Sequence, residues 1–362
     1  MPSGDHAYLV SRYEDVRAVL GDARCSRAAT VLPEAPKLTA VPFDAGGLFT
    51  MDPPEHTRLR SLVSRAFTPR RVAELRPRVE ELCDGLLDRL PADGGVVDLM
   101  SAFAFPLPVT VICELLGVPF ADRERFRAWS DAIVSLTAHT PAEMRANRLE
   151  LVGYLRELLA EKRRAPREDL LSALVQVHDG SDALSEHELV TMALTLLVAG
   201  YETTGSVLGN AVFTLLRHPG GLGLVPDDDG ALGALVEELL RINPIGDGGP
   251  LRVTTAPVEV AGTRIPAGSA VIGAICSANR DETVFPDPAV FRPDRSDAAH
   301  LAFGHGPHFC LGAPLARAEL RIALSALARR FPSLRLAVPA GEIRMHAGLL
   351  VNRLEELPVV CG

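Results

Sequence analysis

Lysine is almost absent from this chain. Lys37 and Lys162 are the only two among 37 basic residues, the rest being arginine, a bias that points to a GC-rich coding source and to no particular chemistry. Surplus positive charge is missing as well. The formal net charge of -9 argues against non-specific nucleic-acid binding, which needs a basic surface. No apolar run approaches the ~20 residues a bilayer demands, and Ala193–Gly200 is the most apolar stretch, so no membrane span is expected. Met1–Asp5 has no charged start followed by an apolar segment, hence no secretory signal. Cys25, Cys83, Cys113, Cys276, Cys310 and Cys361 form no C-x-x-C pair. Structural zinc is therefore not expected, and a reduced, cytoplasmic chain is. The histidines show no H-E-x-x-H or other metal spacing.

What is present is ample apolar material. The chain has 362 residues, 47% of them hydrophobic. At roughly 100–200 residues per domain this allows two or three domains or one large one. The first half reads mainly as amphipathic helix: Tyr13–Leu20 after a strand-like Ala7–Val10, then His56–Phe67, Pro69–Leu90, Phe103–Leu116, Ala121–Leu136 and Pro141–Arg164. Between them Gly21–Phe49 reads as a long loop rich in Pro, Ala and Gly, a kind of segment that is usually functional. Ser185-x-x-Glu188 is a capping box that opens a long, mostly apolar helix running to Leu216. A helix apolar on nearly all faces belongs at the centre of a globule. Gly200 and Gly205 interrupt it, each costing about 1 kcal/mol relative to alanine, so something must compensate. After a helix at Ala231–Ile242, short strands are expected at Val258–Val260, Thr263–Ile265 and Ala270–Ile275, a helix at Leu311–Phe331, and strands at Leu334–Val338 and Leu357–Val360. With no repeat and no linker, residues 1–362 are expected to form one large, mainly α domain of the α+β class, with a long central helix and small β-sheets.

Four groups of residues carry chemistry. Phe303-Gly-His-Gly-Pro-His308-Phe-Cys310-Leu-Gly312 places a cysteine at the start of a helix, flanked by glycines. The helix dipole and its free N–H groups would lower the pKa of that thiol, and an electron-rich thiolate suits an axial haem-iron ligand. Taken alone, such a cysteine is far more often a buried structural thiol in a Gly-rich turn. Glu238 and Arg241 sit at i, i+3 on one helical face and can pair. Ala199-Gly200-Tyr201-Glu202-Thr203-Thr204 is a polar run inside the buried helix. His56 and Arg60, in Asp52-Pro-Pro-Glu-His-Thr-Arg-Leu-Arg, face one way at i, i+4.

Together these resemble the cytochrome P450 family, whose F-G-x-G-x-H-x-C-x-G signature is matched at every fixed position. The similarity runs from about Ala7 to the C-terminus, including Ala278-Asn-Arg-Asp281 and Gly348-Leu-Leu-Val351. It is greatest to soluble bacterial members of natural-product pathways, relative to which the chain looks short at its N-terminus. The resemblance implies Cys310 as ligand of the iron of haem b. It implies His56, Arg60, Arg252 and His308 at the propionates, with Phe303, Gly312, Ala199 and Gly200 against the cofactor. Gly200 would let the helix backbone approach haem. The Thr203 hydroxyl would bond into an opened turn, and Glu202 would relay protons. Tyr201 is expected to point away. Glu238, Arg241 and Arg295 would form a buried structural network.

The implied activity is a monooxygenase that hydroxylates an apolar small molecule, with two electrons arriving from NAD(P)H through a ferredoxin and its reductase. Arg58, Arg65, Arg70, Arg71, Arg317 and Arg321 would offer the ferredoxin a basic patch. Substrate contacts are expected from Leu32–Leu48, Leu194–Ala199, Ile245–Pro250 and Leu349–Leu350, with Gly246, Gly248 and Gly249 giving room or mobility. A monomer is expected. A peroxide-driven or oxidative-coupling enzyme is the alternative, and a non-catalytic haem sensor a more distant one.

Overall fold

The computed structural model describes residues 1–41, 43–91, 94–178, 184–295 and 299–361. In chain order the elements begin with β1 (Tyr8–Val10), α1 (Tyr13–Gly21) and β2 (Cys25–Ser26). Helices then dominate: α2 (Glu55–Ser64), α3 (Pro69–Leu87), β3 (Val96–Asp98), α4 (Pro106–Leu116), α5 (Arg123–Ile133), α6 (Pro141–Arg164), α7 (Leu170–His178) and α8 (Glu186–Arg217). The last third holds α9 (Asp229–Ile242), β4 (Arg252–Thr254), β5 (Val258–Val260), β6 (Thr263–Ile265), β7 (Ala270–Gly273), α10 (Ile275–Ala278), α11 (Ala313–Arg330), β8 (Arg335–Leu336) and β9 (Pro358–Val360). The mainly α composition with small late sheets is as expected, and all six cysteines are free thiols. The strands β2, β3 and β4 and the helices α7 and α10 escape a reading of hydrophobic period, being too short or lying between Gly- and Pro-rich turns.

The long helix α8 forms as its cap dictates. Ser185 Oγ accepts from Glu188 N–H at 3.1 Å while Glu188 Oε2 accepts from Ser185 N–H at 2.8 Å. Its glycines have a packing cause. A Cβ at Gly200 would lie 2.7 Å from the Ile112 side chain, one at Gly205 2.5 Å from the Phe105 ring, and one at Gly209 2.2 Å from Met100 Sδ. These three positions form a smooth face on which α4 and the π-turn Met100–Ala104 rest. Close packing here offsets the intrinsic cost of glycine in a helix. The missing side chain of Gly200 is required by α4, a packing cause that stands beside the expected approach of its backbone to a cofactor.

Four strands form a sheet in the order β1-β7-β4-β2, with β1 parallel to β7 and the other pairs antiparallel. The pair β5–β6 is a hairpin whose two-residue turn, Ala261-Gly262, has φ of 50° and 75°, the positive values that a twist-matched tight hairpin requires. A third sheet has the order β3-β9-β8.

Glu238 of α9 accepts from Arg241 Nε at 2.7 Å and Nη2 at 2.8 Å, and Arg295 Nε lies 3.1 Å away. Arg241 also donates to the carbonyls of Asn279 and Pro288, and Arg295 to those of Pro286 and Asp287. The expected three-residue network thus exists and fastens the 279–295 segment onto α9.

Glu319 of α11 is buried, its Oε2 has no hydrogen-bond partner, and burial raises its carboxyl from 4.5 to about 8. Between those values the folded state binds more protons than the unfolded chain, so stability is complete at low pH and declines as pH rises through the window. Urea unfolding of the wild type from pH 5 to pH 8 is expected to show this decline, and Glu319→Gln to flatten it.

Candidate active site

The cysteine loop is shaped by two left-handed glycines, Gly304 at φ 75° and Gly306 at φ 73°. A Cβ on Gly306 would come within 2.9 Å of the Leu20 carbonyl, so α1 presses directly on the loop. The turn closes with Cys310 N–H donating to Phe303 O at 2.9 Å, just before α11 begins. Burial pushes the Cys310 thiol up, while the N–H groups of Gly312 and Ala313 and the Arg60 and Arg317 guanidiniums pull it down. The helix-start N–H groups thus act in the expected downward direction, and burial outweighs them in the net shift. The donors at sulfur are nonetheless in place. Phe303 lies beneath Arg317, whose guanidinium is 4.5 Å from the ring centroid.

Beside this loop lies a concentration of buried positive charge. Continuing the β2–β4 register, in which Ser26 faces Val253, sets Arg27 opposite Arg252. Both arginines are only 4% exposed. Arg27 Nε donates to Phe49 O at 2.7 Å and its Nη1 to Leu251 O; Arg252 Nη1 donates to Cys25 O at 2.8 Å. His56 of α2 and His308 of the cysteine loop lie with ring centroids 4.3 Å apart. Burial, then the neighbouring Arg252, lowers Arg27 to about 9. Burial, then His56, Arg252 and Arg27, lowers His308 to about 3. Burial and Arg60 likewise lower His56, and burial lowers Arg252. Asp52 is the carboxylate that opposes these effects on Arg27, His56, Arg252 and His308, and it already accepts from Arg27 N–H and the Ser26 hydroxyl.

Two buried nitrogens of this cluster, Arg252 Nε and His308 Nε2, have no hydrogen-bond partner. A dianionic ligand would supply the missing acceptors and charge. The two propionates of haem fit this requirement, and a soft thiol donor sits at the same place. Arg60 Nη2 donates to Phe309 O at 2.7 Å, so this side chain ties α2 to the cysteine loop. Arg27 is the member of the cluster that sequence reasoning missed. Its only signal is the pairing of two short strands.

Arg27 also lines an apolar cavity whose far wall is α8. Leu194 and Thr203 face it from α8, together with Leu38 and Val41, Ile245 and Pro250, and Leu350. All four segments expected to touch substrate therefore reach one cavity. Ile133–Leu136, Met144 and Arg148 join them without having been expected. The glycines of 246–249 do not make room: a Cβ on Gly246 would meet Leu350 O at 2.5 Å and one on Gly249 would meet Gly273 O at 2.9 Å. They reflect crowded backbones.

α8 runs unbroken past the acid and the alcohol. Thr203 Oγ1 donates to Ala199 O at 2.6 Å, so the expected opened turn is replaced by a local hydroxyl-to-carbonyl bond. Glu202 is fully buried and its Oε1 accepts from Arg353 Nη1 at 2.8 Å. The same nitrogen donates to Asp131 Oδ1 at 2.6 Å. Burial works against the Arg353 charge, but Asp131 and Glu202 outweigh it and raise its pKa. Arg353 and Asp131, from the C-terminal segment and α5, are the second omission of the sequence reading, since nothing in their neighbours marks them. Tyr201 points away from the cavity and packs on Phe105, with centroids 5.4 Å apart.

The expected basic patch is largely neutralised. Arg58 pairs with Glu188, Arg70 and Arg71 with Glu74, and Arg321 with Asp229. Arg317 holds Glu237 through two bonds of 2.7 Å. Burial pushes Glu237 up, yet Arg317 and His300 bring it down to about 2. Among the described residues Arg65 alone of the six is exposed without a carboxylate partner.

A family model described as Cytochrome P450 matches residues 129–221 and 231–345. Nocardicin C N-oxygenase of Nocardia uniformis subsp. tsuyamanensis is 49% identical over 361 residues, covering 99% of this chain and 90% of that protein. Mycinamicin IV hydroxylase/epoxidase of Micromonospora griseorubida is 45% identical over 360 residues, covering 99% and 90%. Among solved structures, SgvP, involved in the tailoring step of griseoviridin, superposes with a TM-score of 0.95 at 48% identity, covering 99% of this chain and 91% of that one.

Removing the cation shared by the buried Glu202 and the part-exposed Asp131 takes a guanidinium away from a fully buried carboxylate. Arg353→Met is expected to destabilise the protein by about 3–5 kcal/mol in urea unfolding. Glu202→Gln in the same background should recover part of the loss.

Proposed function

The chain belongs to the cytochrome P450 family and is a haem-dependent monooxygenase, and on that premise we propose the roles of its own residues. Cys310 is the iron ligand, with the N–H groups of Gly312 and Ala313 at its sulfur. Arg27, Arg252, His56 and His308 hold the propionates. Arg60 and Phe303 keep the cysteine loop on α2 and α11. The observation that carries this assignment is the buried excess of positive charge beside Cys310, with Arg252 Nε and His308 Nε2 lacking acceptors. Haem b, when bound, supplies the oxidative chemistry, which a thiolate ligand favours by donating electron density. Its electrons come from NAD(P)H through partner proteins.

Three tasks fall to the protein on the opposite side. The apolar wall excludes water and orients a small apolar molecule. Ala199 and Gly200 present helix backbone, and Thr203 manages hydrogen bonds at the cavity. A hydroxyl that donates to Ala199 O still has lone pairs free to accept from a donor in the cavity. Glu202 delivers protons. Arg353 is shared by two carboxylates, so a shift of this guanidinium onto Asp131 releases Glu202 to take up a proton. The Glu202–Thr203 pair argues for reductant-driven turnover and against peroxide.

The substrate class is a natural-product intermediate, and hydroxylation is the reaction. The reading draws support from relatives named for nocardicin C and mycinamicin IV. Residues 1–362 act as one domain and as a monomer in the cytoplasm, receiving electrons from an acidic ferredoxin and its reductase. No helix among the described residues is long and apolar enough to cross a membrane.

Reduced, CO-bound wild type is expected to absorb near about 450 nm, and Cys310→Ala to lose that band while still folding. A band that persists in the variant would remove Cys310 from the iron. For the ferredoxin, Arg65→Glu should raise the KM for the donor several-fold at low salt, with the effect fading as salt screens the charge. Arg70→Glu should do less, since Glu74 already offsets it. Unchanged kinetics in both variants would place the docking face elsewhere.

A further inference from the structure

The substrate cavity has charged groups of one sign. Arg27, Lys37 and Arg148 line it, and no aspartate or glutamate does among the described residues. Two of the three cations are committed. Arg27 is held by the carbonyls of Phe49 and Leu251 within the propionate cluster. Arg148 pairs with Asp44 between α6 and the loop ahead of α2. Lys37 differs. Its ammonium donates to the carbonyls of Thr30, at 2.9 Å, and Leu32, and it has no carboxylate partner among the described residues.

An ammonium has three donors and no acceptor. Two backbone carbonyls fix Lys37 Nζ in place and leave one N–H to offer, while the Asp5 carboxylate accepts from the backbone N–H of the same residue at 2.8 Å. The half-buried side chain sits in a wall otherwise made of Val31, Leu38, Val41, Phe43 and similar apolar groups. A ligand matching this wall is apolar along its body and carries one anion. Its apolar part is stabilised by burial, and its anion gains a charge-assisted hydrogen bond.

We propose that the substrate of this enzyme bears a carboxylate and that Lys37 is the residue that recognises it. The proposal rests on the reading of this cavity as the substrate site. Lys37 sets affinity and placement and takes no part in the oxidation, so truncating it should alter which molecules bind and leave the haem centre as it is.

The test is an optical titration of the haem-loaded enzyme with straight-chain carboxylic acids of ten to sixteen carbons and with their methyl esters, which share shape and lack the charge. Each acid is expected to bind at least about tenfold more tightly than its ester. Lys37→Gln should bring acid and ester to within about twofold of one another and leave the ester unchanged. Lys37→Arg should retain the preference. Equal binding of acid and ester by the wild type overturns the proposal. So does binding of neither, or a preference that survives Lys37→Gln. Imidazole ligation and the CO-bound band, measured on the same samples, separate the two readings. If both are normal and the acid preference is missing, only the carboxylate proposal fails. If both are absent, the haem-thiolate reading fails and takes this one with it.

Discussion

Like charges do not gather inside a protein without a counter-charge, and the floor of this molecule sets two guanidiniums, Arg27 and Arg252, beside two histidines whose pKa values burial and neighbouring charge lower. Arg27, Arg252, His56 and His308 converge where Asp52 is the opposing carboxylate. Two unit charges 4 Å apart repel by about 4 kcal/mol at an effective dielectric of 20. Much of the fold serves to bring these groups together. The β2–β4 register brings the arginines, α2 brings His56, and a loop kinked by two left-handed glycines brings His308. The protein alone is thus an unfinished electrostatic object, and whatever anion completes the floor contributes its binding free energy to the folded state.

The buried network around Glu238 is the counter-example within the same chain. There one carboxylate meets two guanidiniums, and the spare N–H groups find backbone carbonyls. Its guanidiniums are tied to backbone on three sides and none of its three residues lines the apolar cavity, which marks it as structural. The Asp131–Arg353–Glu202 chain lies between these extremes, with one guanidinium divided between two acids.

Local patterns carried much of this into the sequence. The capping box at Ser185, the cysteine loop and the paired Glu238 and Arg241 are short-range features, and each appears in the structure where its residues place it. Arg27, Asp131 and Arg353 are different. Their partners lie across the chain, brought by strand pairing or by the return of the C-terminal segment, and no spacing encodes that. Glycine proved the most ambiguous letter. In Gly200 and in Gly246–Gly249 its meaning is steric crowding from a distant element, and the sequence alone cannot say which side of a glycine is crowded.

The glycine face of α8 has a mechanical consequence. With Ile112, Phe105 and Met100 set against Gly200, Gly205 and Gly209, α8 puts no side chain of its own at these three contacts. That half of the molecule behaves as a fixed wall of close-packed backbone. Any change in the size of the chamber must therefore come from the opposite side, where Asp44 and Arg148 join the loop ahead of α2 to α6 by an ion pair. New substrates are accommodated by redrawing one shore while the other stays put.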